Sequence, residues 1–358
     1  MCIIVYANIK GKKILAKNRD KVYVPNVKIV REIVDGTEII YMMDNNTGWL
    51  EGMNEYGLGI VNSALNVKYD ETEEDELKKK RLNLMNIKEN SPKLKINALS
   101  KKNLNSMIDY MKNNEFFDDI SLQGHTFVAS PSECFHIEST TEHKPVIKVL
   151  RDNLVLTNHG KNIKGAGYGN GKKLISSILR KNIADSEIKN LDDPKDLLDC
   201  MNKSYMDLDP RFHPYRDRMA TLKYMGNKDN TKKCLMTTTQ IMINLTDLEF
   251  SFNHDRNNSV YLGIEDRLPK GYKPKIKLNV REIEKDSNQS DIKLDKKYID
   301  NLMNLYSTKK LNRFYRKIII GILVTIMILL IILLLYVSFK NKIKKIKIFK
   351  KLINLLSI

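Results

Sequence analysis

The first twenty residues alternate between short apolar runs and turn-forming residues. Residues 2–7 and 13–16 are mostly apolar, and Lys10-Gly11-Lys12 between them is typical of a tight turn. This pattern predicts a β-hairpin that starts at the second residue of the chain. The strands predicted downstream on the same grounds are Ile39–Met43, Gly57–Val61, His125–Ala129, Cys134–Glu138, Pro145–Leu150, Asn153–Leu156, Lys233–Thr239, Gln240–Asn244, Glu249–Asn253 and Val260–Ile264.

Helical spacing of apolar positions occurs in the middle of the chain. It predicts helices over residues 99–112 and 172–181, and Asp193-Pro194 indicates a third helix, with Asp as N-cap and Pro at the first helical position. The charge-dense residues 68–95 are typical of a solvated loop or an exposed helix. The order of strands, helices and strands predicts an α+β domain of layered sheets and helices rather than a βαβ alternation.

The C-terminal part of the chain has a different pattern. Residues 318–339 contain 22 residues without one charge, and about 20 apolar residues span a bilayer. Basic residues flank both sides, so we expect a single transmembrane helix there. Residues 340–358 repeat Ile, Leu and Phe against Lys, which is typical of an amphipathic helix on anionic lipid headgroups. The predicted organisation is a domain at 2–266, a polar stalk at 267–317, this helix and this tail.

Charge weakens a nucleic-acid interpretation. Of the 61 Lys and Arg, twelve lie in residues 309–358, which hold none of the 43 Asp and Glu. The remainder therefore carries only 49 bases against 43 acids, whereas a nucleic-acid-binding domain concentrates its excess positive charge on the fold. No nucleic-acid partner is expected. The four cysteines form neither a CxxC pair nor a zinc-type Cys/His cluster, so no metal or other cofactor is predicted, and a reducing compartment is favoured.

The start Met1-Cys2 carries the sharpest chemical signal. Removal of Met1 would leave Cys2 with a free α-amine, whose unperturbed pKa of about 7.7–8.0 suits a general base for its own thiol. Asn18-Arg19-Asp20 ends the second predicted strand, where a hairpin that begins at residue 2 folds back toward Cys2. An Asp there can orient the α-ammonium, and a nearby cation lowers the pKa of the thiol. From these residues alone, a plain turn at Asn18-Arg19-Asp20 stays open as the alternative to a site that holds the amine.

An ordered set of segments resembles the choloylglycine hydrolase group of N-terminal-nucleophile hydrolases. This group includes bile-salt hydrolases and penicillin V acylases, and the chain is also similar to the isopenicillin N acyltransferases and NRDE-motif proteins. The resemblance covers roughly residues 2–265. Its segments, in chain order, are MCIIVY, LAKNRD, GWLEGMNEYGLGIVNSAL (48–65), HTFVASPSECFHIE (125–138), VLTNHG (155–160), DRMATLKY (217–224) and KCLMTTTQIMINLTDLEFSF (233–252).

The resemblance implies an αββα sandwich and a set of catalytic roles. Cys2 would be the nucleophile and, through its amine, the base, while Asp20 would hold the amine. Asn158 matches an Asn that serves the oxyanion and the amine, and Asn62 a second oxyanion donor. Arg218 matches an Arg near the nucleophile.

Two of these assignments stay open. Asn66 is an alternative to Asn62, because the spacing differs among relatives. The cation beside Cys2 is Lys17 if the chain is aligned on Asp20, whereas Arg19 fits the NRDE pattern.

The function expected from these features is a membrane-anchored hydrolase that cleaves a linear amide C–N bond through an acyl-Cys2 intermediate. The tether favours a small-molecule or lipid-like N-acyl amide as substrate. An acyltransferase with the same nucleophile and an inactive membrane scaffold are the alternatives, and a homo-oligomer stays open. No signal-peptide pattern precedes Cys2, so the catalytic domain is expected in the cytosol, behind a single pass near the C-terminus. The basic flanks on both sides do not settle where the last 19 residues lie.

Overall fold

The computed structural model describes a defined part of the chain. Its residues are 2–21, 25–45, 48–65, 90–114, 116, 123–140, 143–167, 171–202, 213–215, 236–254, 262–282 and 320. The chain divides into two compact units, residues 1–294 and 295–358, and all described residues except Ile320 belong to the first.

Two sheets make up most of the first unit. One sheet has six strands in the order β10-β1-β2-β11-β12-β14, and the other has eight in the order β13-β3-β4-β5-β6-β7-β8-β9. Neighbouring strands are antiparallel except for the pairs β12–β14 and β13–β3. The strands are β1 Cys2–Ile9, β2 Lys12–Lys21, β3 Val27–Val34, β4 Thr37–Asp44, β5 Leu50–Asn54, β6 Gly59–Ser63, β7 Gly124–Ala129, β8 Cys134–Ser139, β9 Val146–Leu150, β10 Leu154–Leu156, β11 Met236–Asn244, β12 Glu249–His254, β13 Leu262–Arg267 and β14 Lys277–Glu282.

Helices cover the outer face of each sheet. The helices are α1 Asn90–Leu99, α2 Leu104–Asn113, α3 Gly171–Ile188 and α4 Leu197–Asn202, with a 3-10 turn at Pro194–Asp196. Asp193 caps that turn, because its side chain accepts a hydrogen bond from the backbone N–H of Lys195, 2.9 Å away. This confirms the predicted N-cap, although a short 3-10 turn precedes the α-helix.

Three apolar cores separate four layers. Side chains of both sheets, such as Ile4, Phe127 and Phe250, form the core between the sheets. The outer face of the eight-stranded sheet packs on α1 and α2, and the outer face of the six-stranded sheet packs on α3 and α4. The order helix, sheet, sheet, helix agrees with the predicted α+β layering of the domain.

The conformation of the turn determines how strands β1 and β2 pair in the hairpin. Lys10 and Gly11 both have positive φ, 49° and 85°, as the two central residues of a type I′ turn require. A two-residue turn fixes the register of the strands, which places Cys2 opposite Arg19. Alternation along β2 then divides its C-terminal residues: Arg19 faces the other sheet, and Asp20 faces the helices. The predicted hairpin is confirmed in position, and the structure supplies its register.

Several elements differ from the sequence-based prediction. Strands β3 and β5 were not predicted, and β11 is one strand where two were expected. Helix α1 begins inside the range predicted as a solvated loop or an exposed helix. In β3, charged residues interrupt the apolar run (VKIVREIV), which obscures its period. Strand β14 pairs with β12 inside the range assigned to the stalk, so the sheet extends beyond the boundary predicted at residue 266.

The predicted membrane segment, residues 318–339, lies outside the described residues apart from Ile320, and the tail 340–358 lies wholly outside them. Within the part of the chain that the structure describes, no helix has the length and apolar character needed to cross a membrane.

Candidate active site

Cys2 begins β1 and is buried, with 7% of its surface exposed. Its backbone nitrogen donates a hydrogen bond to Oδ1 of Asn158, at 3.1 Å. In the untrimmed chain this nitrogen belongs to the peptide bond between Met1 and Cys2, and removal of Met1 would turn it into an α-amine. The structure therefore brings together two residues that lie 156 positions apart and that were both predicted for the site.

Asn158 is held on every side of its amide. Its Nδ2 donates to the carbonyl oxygen of Ala64 at 2.6 Å and to Oγ of Ser63 at 3.3 Å. Its backbone N–H donates to Oγ of Ser177 on α3, at 2.9 Å. With Nδ2 engaged in this way, the oxygen is the end of the side chain that is turned toward Cys2.

Arg180 on α3 contacts Asn158, Asp20 and the backbone of Cys2. Its Nη2 donates to Oδ1 of Asn158 at 3.0 Å, and its Nη1 lies 3.3 Å from Oδ2 of Asp20. Nη1 also lies 3.4 Å from the carbonyl oxygen of Cys2. The other carboxylate oxygen of Asp20 accepts from Oγ1 of Thr237 at 2.8 Å, beside a bulge in β11. Arg180 and Asp20 are both buried, so this is an ion pair inside the protein rather than on its surface.

Arg180 was not predicted as a site residue. One signal was present: on a helix, Arg180 shares the face of Ser176, Ser177, Ile183 and Ala184, all of which are buried. An Arg and two Ser on the buried face of a helix need partners inside the protein.

A second group of charges lies on the other face of β2. Lys17 and Arg19 both donate to the carboxylate of Glu51 on β5, and all three side chains are at most 1% exposed. Burial alone would raise the pKa of Glu51, but Arg19, Lys17 and Lys95 together lower it to about 2. Glu51 therefore stays ionised and keeps both predicted cations beside Cys2.

These cations act on the thiol. Burial raises the pKa of Cys2, and Asp20 raises it further, but in the untrimmed chain the positive charges of Lys17, the amino terminus of residue 1 and Arg19 outweigh both, so the pKa lies below the usual value. Lys17 makes the largest lowering contribution and Arg19 the smallest. A thiol with a lowered pKa is a better nucleophile at neutral pH, since the thiolate is the reactive form.

Trp49 lies among cations near the same charge cluster. The Nζ atoms of Lys95, Lys17 and Lys21 lie 4.9, 5.5 and 5.8 Å from its ring centroid. Burial and the charge of Arg19 lower the pKa of Lys21 to about 8 against the opposing effects of Cys2 and Asp44. Trp49 therefore lies against Lys17, one of the cations that lower the pKa of the Cys2 thiol.

The structure does not bring Asn62 into the group around Cys2. Its neighbour Val61 packs in the core between the sheets, so alternation along β6 turns Asn62 toward the outer, helical side. There its Nδ2 donates to Oγ1 of Thr126, at 2.8 Å. The side chain on β6 that does face the site is Ser63, which contacts Asn158. The alternative Asn66 and the predicted Arg218 both lie outside the described residues.

A buried histidine pair flanks the site. Nδ1 of His125 lies 3.1 Å from Nε2 of His136, and Nε2 of His125 lies 2.8 Å from the carbonyl oxygen of His159. With Glu138, the two rings form the one group in the described part of the chain whose donor atoms lie close enough together, within 4.8 Å, to hold a metal ion. The carboxylate of Glu138 already accepts three backbone N–H groups, those of residues 161–163.

Comparison with known proteins gives solved structures alone, since the chain matches no protein-family model and no curated protein sequence. The conjugated bile acid hydrolase of Clostridium perfringens is 14% identical with a TM-score of 0.39, and the match covers 79% of this chain and 100% of that one. An N-acylethanolamine-hydrolysing acid amidase of Caenorhabditis elegans is 13% identical with a TM-score of 0.40, and the match covers 68% of this chain and 93% of that one. The penicillin V acylase of Agrobacterium tumefaciens is 10% identical with a TM-score of 0.39, and the match covers 74% of this chain and 95% of that one. At these scores the likeness supports no inference about activity.

Proposed function

We propose that this chain is an N-terminal-nucleophile hydrolase that cleaves a linear amide C–N bond through an acyl intermediate on Cys2. The observation that carries the proposal is the hydrogen bond from the Cys2 nitrogen to Oδ1 of Asn158, at 3.1 Å, with Asp20 and Arg180 completing the group. A cysteine with only a structural role at the start of a strand would not need the buried Arg180–Asp20 ion pair near its backbone, nor the two buried cations Lys17 and Arg19 near its thiol.

The first step would use both ends of Cys2. Once Met1 is removed, the α-amine takes the proton of the thiol, and the sulfur attacks the amide carbonyl. Lys17 and Arg19 favour the thiolate through their positive charge. Asn158 holds the ammonium that results through Oδ1, which already accepts from the Cys2 nitrogen. Asp20 adds its negative charge nearby, since Arg180 contacts both Asp20 and the carbonyl oxygen of Cys2.

The second step would release the amine and then the acid. As the tetrahedral intermediate collapses, the C–N bond breaks, and the α-ammonium gives its proton to the leaving nitrogen. This leaves a thioester on Cys2 and a neutral α-amine. The amine then takes a proton from a water molecule that attacks the thioester, and collapse releases the carboxylic acid and restores the thiol.

The role of Asn158 differs in this proposal from the one that the resemblance implied. Its Nδ2 is engaged by Ala64 and Ser63, so an oxyanion does not have this N–H group at its disposal in the described arrangement. We therefore assign Asn158 to the amine, through Oδ1.

The membrane anchor is part of the proposal. Residues 318–339 would cross the bilayer, the basic tail would contact anionic headgroups, and the catalytic unit would lie in the cytosol beside a lipid-like N-acyl amide. Protease treatment of sealed membrane vesicles tests the orientation. A catalytic unit that protease digests from the cytosolic side supports it, and one that is shielded inside the vesicle contradicts it.

Intact mass measurement of the full chain in detergent tests the chemistry. Penicillin V serves as the acyl donor, Cys2→Ala as the inactive variant, and Cys134→Ala as the matched control, since Cys134 is also buried but its pKa is raised by burial. We expect loss of Met1 and an adduct that Cys2→Ala abolishes and Cys134→Ala retains. Retention of Met1 without an adduct would favour an inactive scaffold. Transfer of the acyl group to an added amine would indicate an acyltransferase.

A further inference from the structure

The partners of His125 and His136 fix which nitrogen of each ring carries the proton. A carbonyl oxygen can only accept, so Nε2 of His125, 2.8 Å from the oxygen of His159, must be the N–H group. In a neutral ring Nδ1 of His125 then accepts, and Nε2 of His136, 3.1 Å away, must donate to it. Nδ1 of His136 is left as an acceptor for Nδ2 of Asn162, at 3.3 Å. The hydrogen bonds thus run in one direction, from Asn162 through both rings to His159.

Both ends of this chain of hydrogen bonds lie on one loop, residues 157–163. The carboxylate of Glu138 holds its middle by accepting the backbone N–H groups of residues 161, 162 and 163 at 2.9, 2.7 and 3.2 Å. Ser177 holds its start by accepting from the backbone of Asn158. His125 binds the carbonyl oxygen of His159, directly after Asn158. Asn158 is therefore fixed by α3 on one side and by the histidine pair on the other.

We propose that His125 and His136 are positioning residues that hold Asn158 where its Oδ1 accepts from the Cys2 amine. The inference rests on the proposed function for its catalytic consequence, but the positioning itself does not depend on activity. If Oδ1 moves away, the α-ammonium loses an acceptor. The amine then becomes a weaker base, and proton transfer from the thiol becomes less favourable.

The surroundings keep the pair neutral. Burial lowers the pKa of His125, and it lowers that of His136 to about 2 with help from the charges of His125, Lys161 and Lys148. Glu138 opposes this at His125. Protonation of His125 at Nδ1 would set two N–H groups against each other at 3.1 Å, which adds a geometric reason for neutrality. The charged and titratable groups that act on the pair and on His159 are Glu138, Lys148, Lys161, Arg180 and Lys181.

The test compares three variants of the full chain in detergent. His136→Leu removes both hydrogen bonds of the ring, and His136→Gln restores a donor without a titrating group. His143→Leu is the matched control, because His143 is exposed and contacts Thr140 instead of the loop. The activity-independent readout is the ¹⁵N NMR signal of the Asn158 side-chain amide and of the imidazole nitrogens. The catalytic readout is the rate of Cys2 acylation by penicillin V against pH.

We expect both rings to carry their proton on Nε2, and the Asn158 amide signal to shift in His136→Leu alone. Acylation should fall roughly 10- to 100-fold in that variant, the size typical of a small displacement in a catalytic site, and its acid-side limb should move to lower pH. His136→Gln should recover most of the rate. An Asn158 signal unchanged in His136→Leu would overturn the proposal, as would a bound metal ion on the two rings. If wild type forms no adduct, the proposed function fails, but the NMR result still decides the positioning.

Discussion

Arg180 and Asn158 share a point of contact with Cys2: Nη2 of Arg180 donates to the same Oδ1 atom, at 3.0 Å, that accepts from the Cys2 nitrogen at 3.1 Å. The amine of a trimmed chain would therefore lie near one fixed positive charge and near the carboxylate of Asp20, 3.3 Å from Nη1 of Arg180. The positive charge lowers the pKa of an amine and the carboxylate raises it. The two charges therefore act in opposite directions on the proton affinity of the amine that would serve as base and acid.

Removal of this charge should affect stability and catalysis together. In Arg180→Met, Asp20 stays buried without its cation, so we expect the free energy of unfolding to fall by about 3–5 kcal/mol. The pH limb of Cys2 acylation should move to higher pH, because Asp20 then stabilises the ammonium unopposed. Denaturant titration and the pH profile check both. The control is Lys181→Met, which removes a partly exposed cation that pairs with Asp185 one turn along α3 and should cost less than about 1 kcal/mol. An unshifted limb in Arg180→Met would contradict the role given to Arg180.

Glu51→Gln should change the pKa of the Cys2 thiol without removing a group that contacts the Cys2 amine. The substitution leaves Lys17 and Arg19 without the carboxylate that both contact. We expect the free energy of unfolding to fall by about 3–5 kcal/mol, as for other broken buried pairs, and the pKa of the Cys2 thiol to fall further. Alkylation of Cys2 by iodoacetamide against pH measures the second effect.

The control for this variant is Glu265→Gln. Glu265 also pairs with a lysine, Lys28 at 2.7 Å, but its side chain is 28% exposed, and the loss should stay below about 1 kcal/mol. If Glu51→Gln raised the pH needed for alkylation, the cations would not be acting on the thiol in the way described.

The sequence allowed half of this site to be predicted. Cys2 and Asp20 could be placed near each other because a hairpin that begins at residue 2 brings the end of its second strand back to its start, and that argument needs only local residues. Asn158 was identified by resemblance, since no local rule brings residues 2 and 158 together.

The rest depends on packing between distant elements. Arg180 meets Asp20 because α3 lies on the outer face of the six-stranded sheet, and no spacing in the sequence encodes that contact. Glu51 was missed with its strand, β5, whose five residues (LEGMN) show no clear alternation. Asn62 was assigned to the site because it lies near the right position in the sequence, but one residue of offset along β6 turns a side chain to the opposite face of the sheet.

Gly167 offers a test of how closely the Asn158 loop must be packed. Its φ is +73°, and a Cβ added to it would lie 2.5 Å from the carbonyl oxygen of Asn158. Gly165 is a matched control, because its φ of +85° carries the same backbone strain while a Cβ there would meet nothing within 4 Å. Alanine at either position should cost about 1–2 kcal/mol from φ alone. We expect Gly167→Ala to cost more than Gly165→Ala in denaturant titration, and to slow Cys2 acylation selectively. Equal effects on both measurements would mean that the contact with Asn158 is unimportant.

Acid should destabilise the fold through the buried histidines before it acts on Glu51. The pKa of His136 is lowered to about 2 and that of His159 to about 4, against about 6.5 in an unfolded chain. Between these values the unfolded state binds more protons than the folded state, so the stability is fully present above pH 6.5 and is lost as the pH falls. Glu51, with a pKa of about 2 in the fold and 4.5 outside it, adds to the loss only below about pH 4.5.

Between pH 6.5 and 5, therefore, the histidines contribute to the loss of stability and Glu51 does not. Denaturant titrations of wild type and His136→Gln across this window should give a shallower slope of unfolding free energy against pH for the variant, because one buried titrating ring is gone. His143→Gln is the control for the loss of an imidazole at an exposed position. The comparison uses differences between variants, so carboxylates that titrate in all three chains cancel. Parallel slopes for wild type and His136→Gln would show that His136 is protonated in the fold as readily as in the unfolded chain. The one-directional hydrogen bonds from Asn162 to His159 would then not exist in solution.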